Sequence, residues 1–146
     1  MNYTLQPAQD SHAAAIKKMV NDAHLNPMDL DWRRFVVALD PESQVIACGQ
    51  VKQHRDGSRE LASLVVNRAH RGQGLARTLI EKLVDDNPPP LYLMCRSGLG
   101  PFYEKFGFLA VAYDDMPRYF QRISKLAGLA DLLSHGGETL LVMRRG

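Results

Sequence analysis

The sequence predicts an α+β fold, and three observations carry that expectation. Short apolar, β-rich runs are bounded by turn residues, longer stretches place apolar residues at helical spacing, and the length of 146 residues suits one compact unit. A chain of this size buries roughly two thirds of its extended surface, so residues 1–146 are expected to fold alone as a single domain.

Asn2 to Gln6 reads as a first strand. After the candidate caps Asp10 and Ser11, Ile16, Met19, Val20 and Ala23 recur at helical spacing. Asn26 to Asp31, which contains Pro27 and two acidic residues, reads as a loop or a broken helical turn before a second strand, Phe35 to Leu39. Asp40, Pro41, Glu42 and Ser43 have turn chemistry and lead into a third strand, Val45 to Val51, which ends near His54. Asp56-Gly57 is a strong hairpin signal, so Glu60 to Val66 is expected to pair antiparallel with the third strand.

Beyond a basic, glycine-containing turn from Arg68 to Gly74, Leu75, Leu79, Ile80 and Leu83 mark the buried face of a helix running to about Asp85, which Pro88 to Pro90 terminate. Leu91 to Cys95 is a fifth strand. Pro101 suits the first turn of a short helix and Gly107 its C-terminal cap. Phe108 to Tyr113 and Thr139 to Arg144 are the last strands. The intervening segment, 114–137, is longer than a hairpin loop needs to be, and Tyr119, Phe120, Ile123, Leu126 and Ala127 give it a helical stripe. This helical insertion serves as a lid over an acceptor, as a homodimer contact, or as an extra helix packed on the sheet.

Net charge is +2 with Lys and Arg scattered along the chain, which gives no electrostatic footprint for nucleic acid. Cys48 and Cys95 fall inside apolar runs and imply neither a disulfide nor a zinc framework. The N-terminal residues lack the pattern of a secretory leader and no apolar run approaches membrane-spanning length, so a cytoplasmic protein with no membrane partner and no metal is expected.

The sharpest local feature is Arg71-Gly72-Gln73-Gly74-Leu75-Ala76, set between an apolar strand and an amphipathic helix. The first N–H groups of a helix lack internal partners and the helix dipole makes that end electropositive, so a pyrophosphate is stabilised there. Gly72 and Gly74 let the backbone turn tightly toward phosphate oxygens, and Arg71 and Arg77 could add charge-assisted contacts. A phosphate-binding Walker A loop would need Lys then Ser or Thr after Gly74, where Leu75 and Ala76 stand. The dinucleotide fingerprint would need a glycine or alanine at Arg77. The plainer reading is a glycine turn that only caps a helix.

Two motifs in order point further. Arg71, Gly74 and Ala76 match the fixed positions of the acetyl-CoA motif of Gcn5-related N-acetyltransferases (GNAT), with Val66 upstream at the usual hydrophobic position and Arg68 where a proline is common. Phe102-Tyr103-Glu104-Lys105-Phe106-Gly107-Phe108 resembles the family's second motif, a short tyrosine-bearing helix ending in Gly-Phe. The order of strands and helices also resembles that family, most weakly before Leu39 and between Asp114 and Gly137.

The resemblance implies a six- to seven-stranded mixed, mostly antiparallel sheet flanked by helices, with a V-shaped splay between the fourth and fifth strands. Acetyl-CoA is the implied cosubstrate. Main-chain groups of Leu64, Val65 and Val66 would pair with its pantetheine arm, and the amides of Gly72, Gln73, Gly74, Leu75 and Ala76 would hold its pyrophosphate. The implied reaction is direct attack of an amine acceptor on the thioester, with Tyr103 protonating the thiolate. Glu60 is the base candidate, against the plainer reading of a solvated strand end, and Tyr103 has its own plain reading as a wall residue. Arg96 stands where relatives carry an asparagine, and Ser97 could substitute as a cofactor contact. Cys95 could accept an acetyl group, but a buried strand cysteine is favoured. Asp29, Asp31, Asp114 and Asp115 could attract a cationic amine. The competing function is a catalytically silent CoA sensor or interaction module.

Overall fold

The computed structural model describes residues 2–133 and 137–146, the side chains of 129–133 excepted. Seven strands hydrogen-bond in the order β1-β2-β3-β4-β5-β7-β6. They are β1 (Thr4–Pro7), β2 (Phe35–Leu39), β3 (Val45–Gln53), β4 (Arg59–Val66), β5 (Leu91–Arg96), β6 (Phe108–Ala110) and β7 (Leu140–Arg145). The sheet is mixed. β1–β2, β2–β3, β5–β7 and β6–β7 are antiparallel, whereas β4 and β5 run parallel and register Glu60 with Tyr92. The helices are α1 (Ala13–Asp22), α2 (Leu75–Asp86), α3 (Gly100–Glu104) and α4 (Arg118–Leu133).

The chain divides into two compact units, residues 1–52 with 61–87 and residues 53–60 with 88–146. In the first, every residue of β2 is buried because helices cover both of its faces. Ile16 and Val20 of α1 pack with Phe35, Val37, Leu39, Cys48 and Val65. On the opposite face, Gly49, the partner of Val36, lets α2 approach closely, since a Cβ there would lie 3.0 Å from the Leu83 Cδ1. The expected caps Asp10 and Ser11 lie inside a 3-10 turn, Asp10–His12, that precedes α1. The Gln9 N–H is satisfied by the His12 Nδ1 at 3.0 Å, so the imidazole closes this turn.

The second unit is built on β5, β7 and β6. Tyr92, Val142 and the fully buried Phe120 of α4 form its core, with Met94, Met116 and Tyr119 packed around them. Of the stripe anticipated in 114–137, Tyr119 and Phe120 lie against this unit's own strands, whereas Leu126 is exposed. β6 is shorter than expected. It ends at Ala110, the Val111 N–H still reaches the Val142 carbonyl, and a 3-10 turn at Tyr113–Asp115 then redirects the chain into α4. Gly107 stands at φ 88 where the chain leaves α3, as a glycine after a helix end should.

Candidate active site

Ser97 apart, the donor-side candidates sit in the first unit. After β4, Asn67 anchors the chain twice. Its N–H donates to the Ile46 carbonyl at 2.8 Å, and its side chain accepts from the Ala69 N–H at 2.9 Å. Gly72 and Gly74 follow with φ 80 and 81, a left-handed backbone that a Cβ would strain. A Cβ at either would meet nothing within 4 Å, so these glycines answer a backbone requirement in an open turn. Leu75 is buried and pins the first residue of α2, while the Gly74 carbonyl takes both the N–H and the hydroxyl of Thr78. The leading amides of α2 thereby face an uncrowded surface, which suits an anion such as pyrophosphate.

Arg71, Gly72, Gln73 and Gly74 are exposed and Ala76 half-buried. The Arg71 Nε donates to the Val66 carbonyl at 3.2 Å, whereas Arg77 is paired with Glu81 at 3.0 Å. Beside the turn, a cavity of about 300 Å³ is lined by Met19, Asp22, Val65, Val66, Arg68 and Arg71, among others.

β4 departs from simple alternation. Ser63 has φ 56, and its hydroxyl accepts from the fully buried Gln50 amide at 2.8 Å. Alternation from Glu60 through Ala62 to Leu64 is therefore interrupted, because a left-handed residue rotates the strand locally. Leu64 points at Gly49 and α2, and Val65 into the α1 core. Gln50 also accepts from the Arg34 Nε at 3.3 Å. Arg34 in turn holds the Asp29 carboxylate at 2.7 Å, and Asp31 accepts from the N–H and guanidinium of Arg33. The Arg33 N–H, with that side chain's charge, keeps the Asp31 carboxyl below the usual carboxylate range. Asp29 and Asp31, two of the four acidic residues expected to draw in a cationic amine, are thus each paired with a neighbouring arginine.

The acid–base candidates lie in the second unit. Tyr103 packs edge-on against Phe102 and Phe108. Burial, with a smaller contribution from Cys95, pushes its phenol up to about 12, so it is a proton donor throughout the neutral range. Glu60 is not the solvated strand end of the plainer reading. It is 4% exposed, and its Oε1 meets the His54 Nε2 at 2.8 Å. His54 was not singled out by sequence reasoning. The signal that could have found it is the Asp56-Gly57 turn, which places positions 54 and 60 on facing strand ends.

Ser97 is engaged with the residue before β7. Its N–H donates to the Thr139 carbonyl at 2.8 Å and its Oγ accepts from the Thr139 N–H at 3.2 Å, which leaves the hydroxyl proton to donate elsewhere. Arg96 lies 3.7 Å from Glu138 at the surface. Burial raises the Cys95 thiol, and it raises Cys48 to about 12, so both are protonated and weak nucleophiles. Among the described residues no cluster of His, Cys, Asp or Glu could hold a metal, and no helix is long and apolar enough to cross a membrane.

A seven-stranded mixed sheet with parallel β4–β5 pairing, helices on its faces and a glycine turn opening the helix after β4 defines an acyl-CoA N-acyltransferase fold. A family profile described as an acetyltransferase (GNAT) domain matches residues 31–109, over half of the chain, and the protein belongs to that family of acyltransferases.

Solved structures agree on the fold. N-acetylglutamate synthase from Neisseria gonorrhoeae, crystallised with coenzyme A and N-acetyl-glutamate, gives a TM-score of 0.73 at 15% identity, covering 100% of this chain and 36% of that one. This chain thus spans about a third of the synthase's length. Rv2747 from Mycobacterium tuberculosis, solved with CoA, gives 0.68 at 20% identity, covering 95% and 97% of the two chains. An acyl-CoA N-acyltransferase from Pseudomonas aeruginosa gives 0.67 at 18% identity, covering 99% of each. No curated protein matches the sequence.

Proposed function

We propose that this chain, acting as one domain, transfers an acetyl group from acetyl-CoA to a primary amine by direct attack. The open left-handed turn at Gly72 and Gly74, immediately ahead of α2, is the observation that carries the reading. It offers backbone amides and a helix N-terminus to a pyrophosphate without a Cβ in the way. The amides from Gly72 to Ala76 take the phosphates with Arg71 beside them, and Arg77 joins by exchanging Glu81 for phosphate. The main chain of Leu64, Val65 and Val66 takes the pantetheine arm, and Ser97 donates its hydroxyl proton to the cosubstrate.

In the chemical step the amine nitrogen attacks the thioester carbonyl carbon and the carbon–sulfur bond breaks. The proton lost by the amine goes to Glu60, and the departing sulfur receives one from Tyr103. The phenol carries its proton at neutral pH and so has one to give. Thiol release from acetyl-CoA, followed across polyamines, amino acids, aminoglycosides, aminosugars and lysine peptides, tests the reading. Turnover with one of these classes is expected. Tight CoA binding with no turnover on any of them would overturn it in favour of a CoA sensor.

A further inference from the structure

We propose that His54 is a positioning residue for the base: its Nε2–H holds the Glu60 carboxylate in one orientation, and the first turn of α4 holds His54. The inference rests on Glu60 being the proton acceptor, and adds a residue that neither family motif contains.

The contact is short and largely buried. The His54 Nε2 and the Glu60 Oε1 are 2.8 Å apart, with side-chain exposures of 11% and 5%. A carboxylate that is to take a proton from the amine must be ionised and then only accepts hydrogen bonds, so the base role puts the proton of this contact on Nε2. A glutamate side chain has several rotatable bonds and is costly to order, and a buried carboxylate must be hydrogen-bonded. A bond to one named oxygen from a ring with few rotamers does both.

The imidazole is itself fixed by α4. The Tyr119 ring stacks on it with centroids 3.5 Å apart and planes 13° from parallel, and the Phe120 ring meets it edge-on at 5.6 Å. The turn that carries His54 is tied to the same helix, since the Asp56 carboxylate accepts the Tyr119 N–H at 3.0 Å along with the N–H and hydroxyl of Ser58. Phe120 stacks on Tyr92, the residue in register with Glu60. Glu60, His54, Tyr119, Phe120 and Tyr92 thus form a closed circuit in which the carboxylate is held from its side chain and from its backbone.

Two substitutions separate the hydrogen bond from the packing. His54→Phe keeps a ring for Tyr119 to stack on and deletes the donor, whereas His54→Gln keeps a donor near the Nε2 position and loses the ring. With the amine giving the fastest thiol release, H54F is expected to lower kcat by about ten- to a hundredfold with KM for acetyl-CoA within about twofold, a part of the range that general-base catalysis spans. H54Q should recover most of that loss. Because His54 acts through Glu60, the double variant H54F/E60Q should be no slower than E60Q.

Multiplicative losses in the double variant, or an H54Q as slow as H54F, would make the contact purely structural and overturn the inference. Near-wild-type kcat in H54F with a slow E60Q would also overturn it while leaving Glu60 as base. A fast E60Q would instead remove Glu60 as base, and this inference with it.

Discussion

The two compact units deploy polar groups in opposite ways. In the first, the candidate chemistry belongs to the main chain: left-handed glycines, helix-terminal amides and a strand whose regularity is broken at Ser63. In the second it belongs to side chains, with Glu60 on His54 across a tight turn, Asp56 on the amide of the distant Tyr119, and Tyr103 among aromatic rings. Main-chain recognition tolerates most side-chain changes and fails where backbone conformation changes. Side-chain chemistry fails at single atoms.

That contrast predicts where function breaks. The largest effect is expected from Tyr103→Phe, which removes one hydroxyl. Steady-state thiol release should show kcat lower by about 10²- to 10⁴-fold with KM for acetyl-CoA nearly unchanged. Full turnover in this variant would end the acid role. Because burial raises this phenol to about 12, its proton is retained below that value. Phenolate absorbance from Tyr103, taken as wild type minus Y103F, should appear only near pH 12, and its appearance near 10 would contradict the buried environment.

Gly74→Ala should have the opposite signature. A Cβ at φ 81 meets no neighbouring atom but strains the backbone by roughly 1–2 kcal/mol. Calorimetric titration with CoA is expected to show about tenfold weaker binding, with kcat at saturation changed only severalfold. A larger fall in kcat than in affinity would erase the distinction between the two units.

The smallest effect is expected from Asp56→Asn. The carboxylate takes a backbone N–H at the start of α4, a capping role whose complete removal costs about 1 kcal/mol. Partial loss should lower Tm by about 2 °C in a chain of this size. Burial raises this carboxyl, but hydrogen bonds from the Ser58 hydroxyl and from the Tyr119 and Ser58 amides, with His54 nearby, outweigh it and hold the group below the usual carboxylate range. A depressed folded-state value means that the stabilisation is fully present above the unfolded value, about 4, and is lost as pH falls through the folded one. Thermal melts should therefore converge for wild type and D56N in acid. A constant gap at all pH values would show that the charge contributes nothing.

Much of this was legible beforehand because it is local. Strand and helix positions follow from apolar spacing over a few residues, and the turn at Gly72 and Gly74 follows from what glycine alone permits. β6 was overextended because Val111 continues an apolar run, although the chain turns after it to enter α4. Asp29 and Asp31 read as open acidic sites until their arginine partners were placed. The plainer reading of Glu60 as a solvated strand end stood beside the base reading for a similar reason, since exposure is not a property of a residue's neighbours in sequence.

By itself, then, the sequence determined the α+β order of elements, the glycine turn ahead of α2 and the two family motifs, each within the reach of one turn of chain. Only the tertiary structure decided that Glu60 is buried on His54, that the face of α4 bearing Phe120 closes on β5 and β7, and that burial pushes the Tyr103 phenol up from its ordinary value. Backbone preference is set by adjacent residues, whereas burial, hydrogen-bond partners and proton affinity are set by whatever the fold brings into contact.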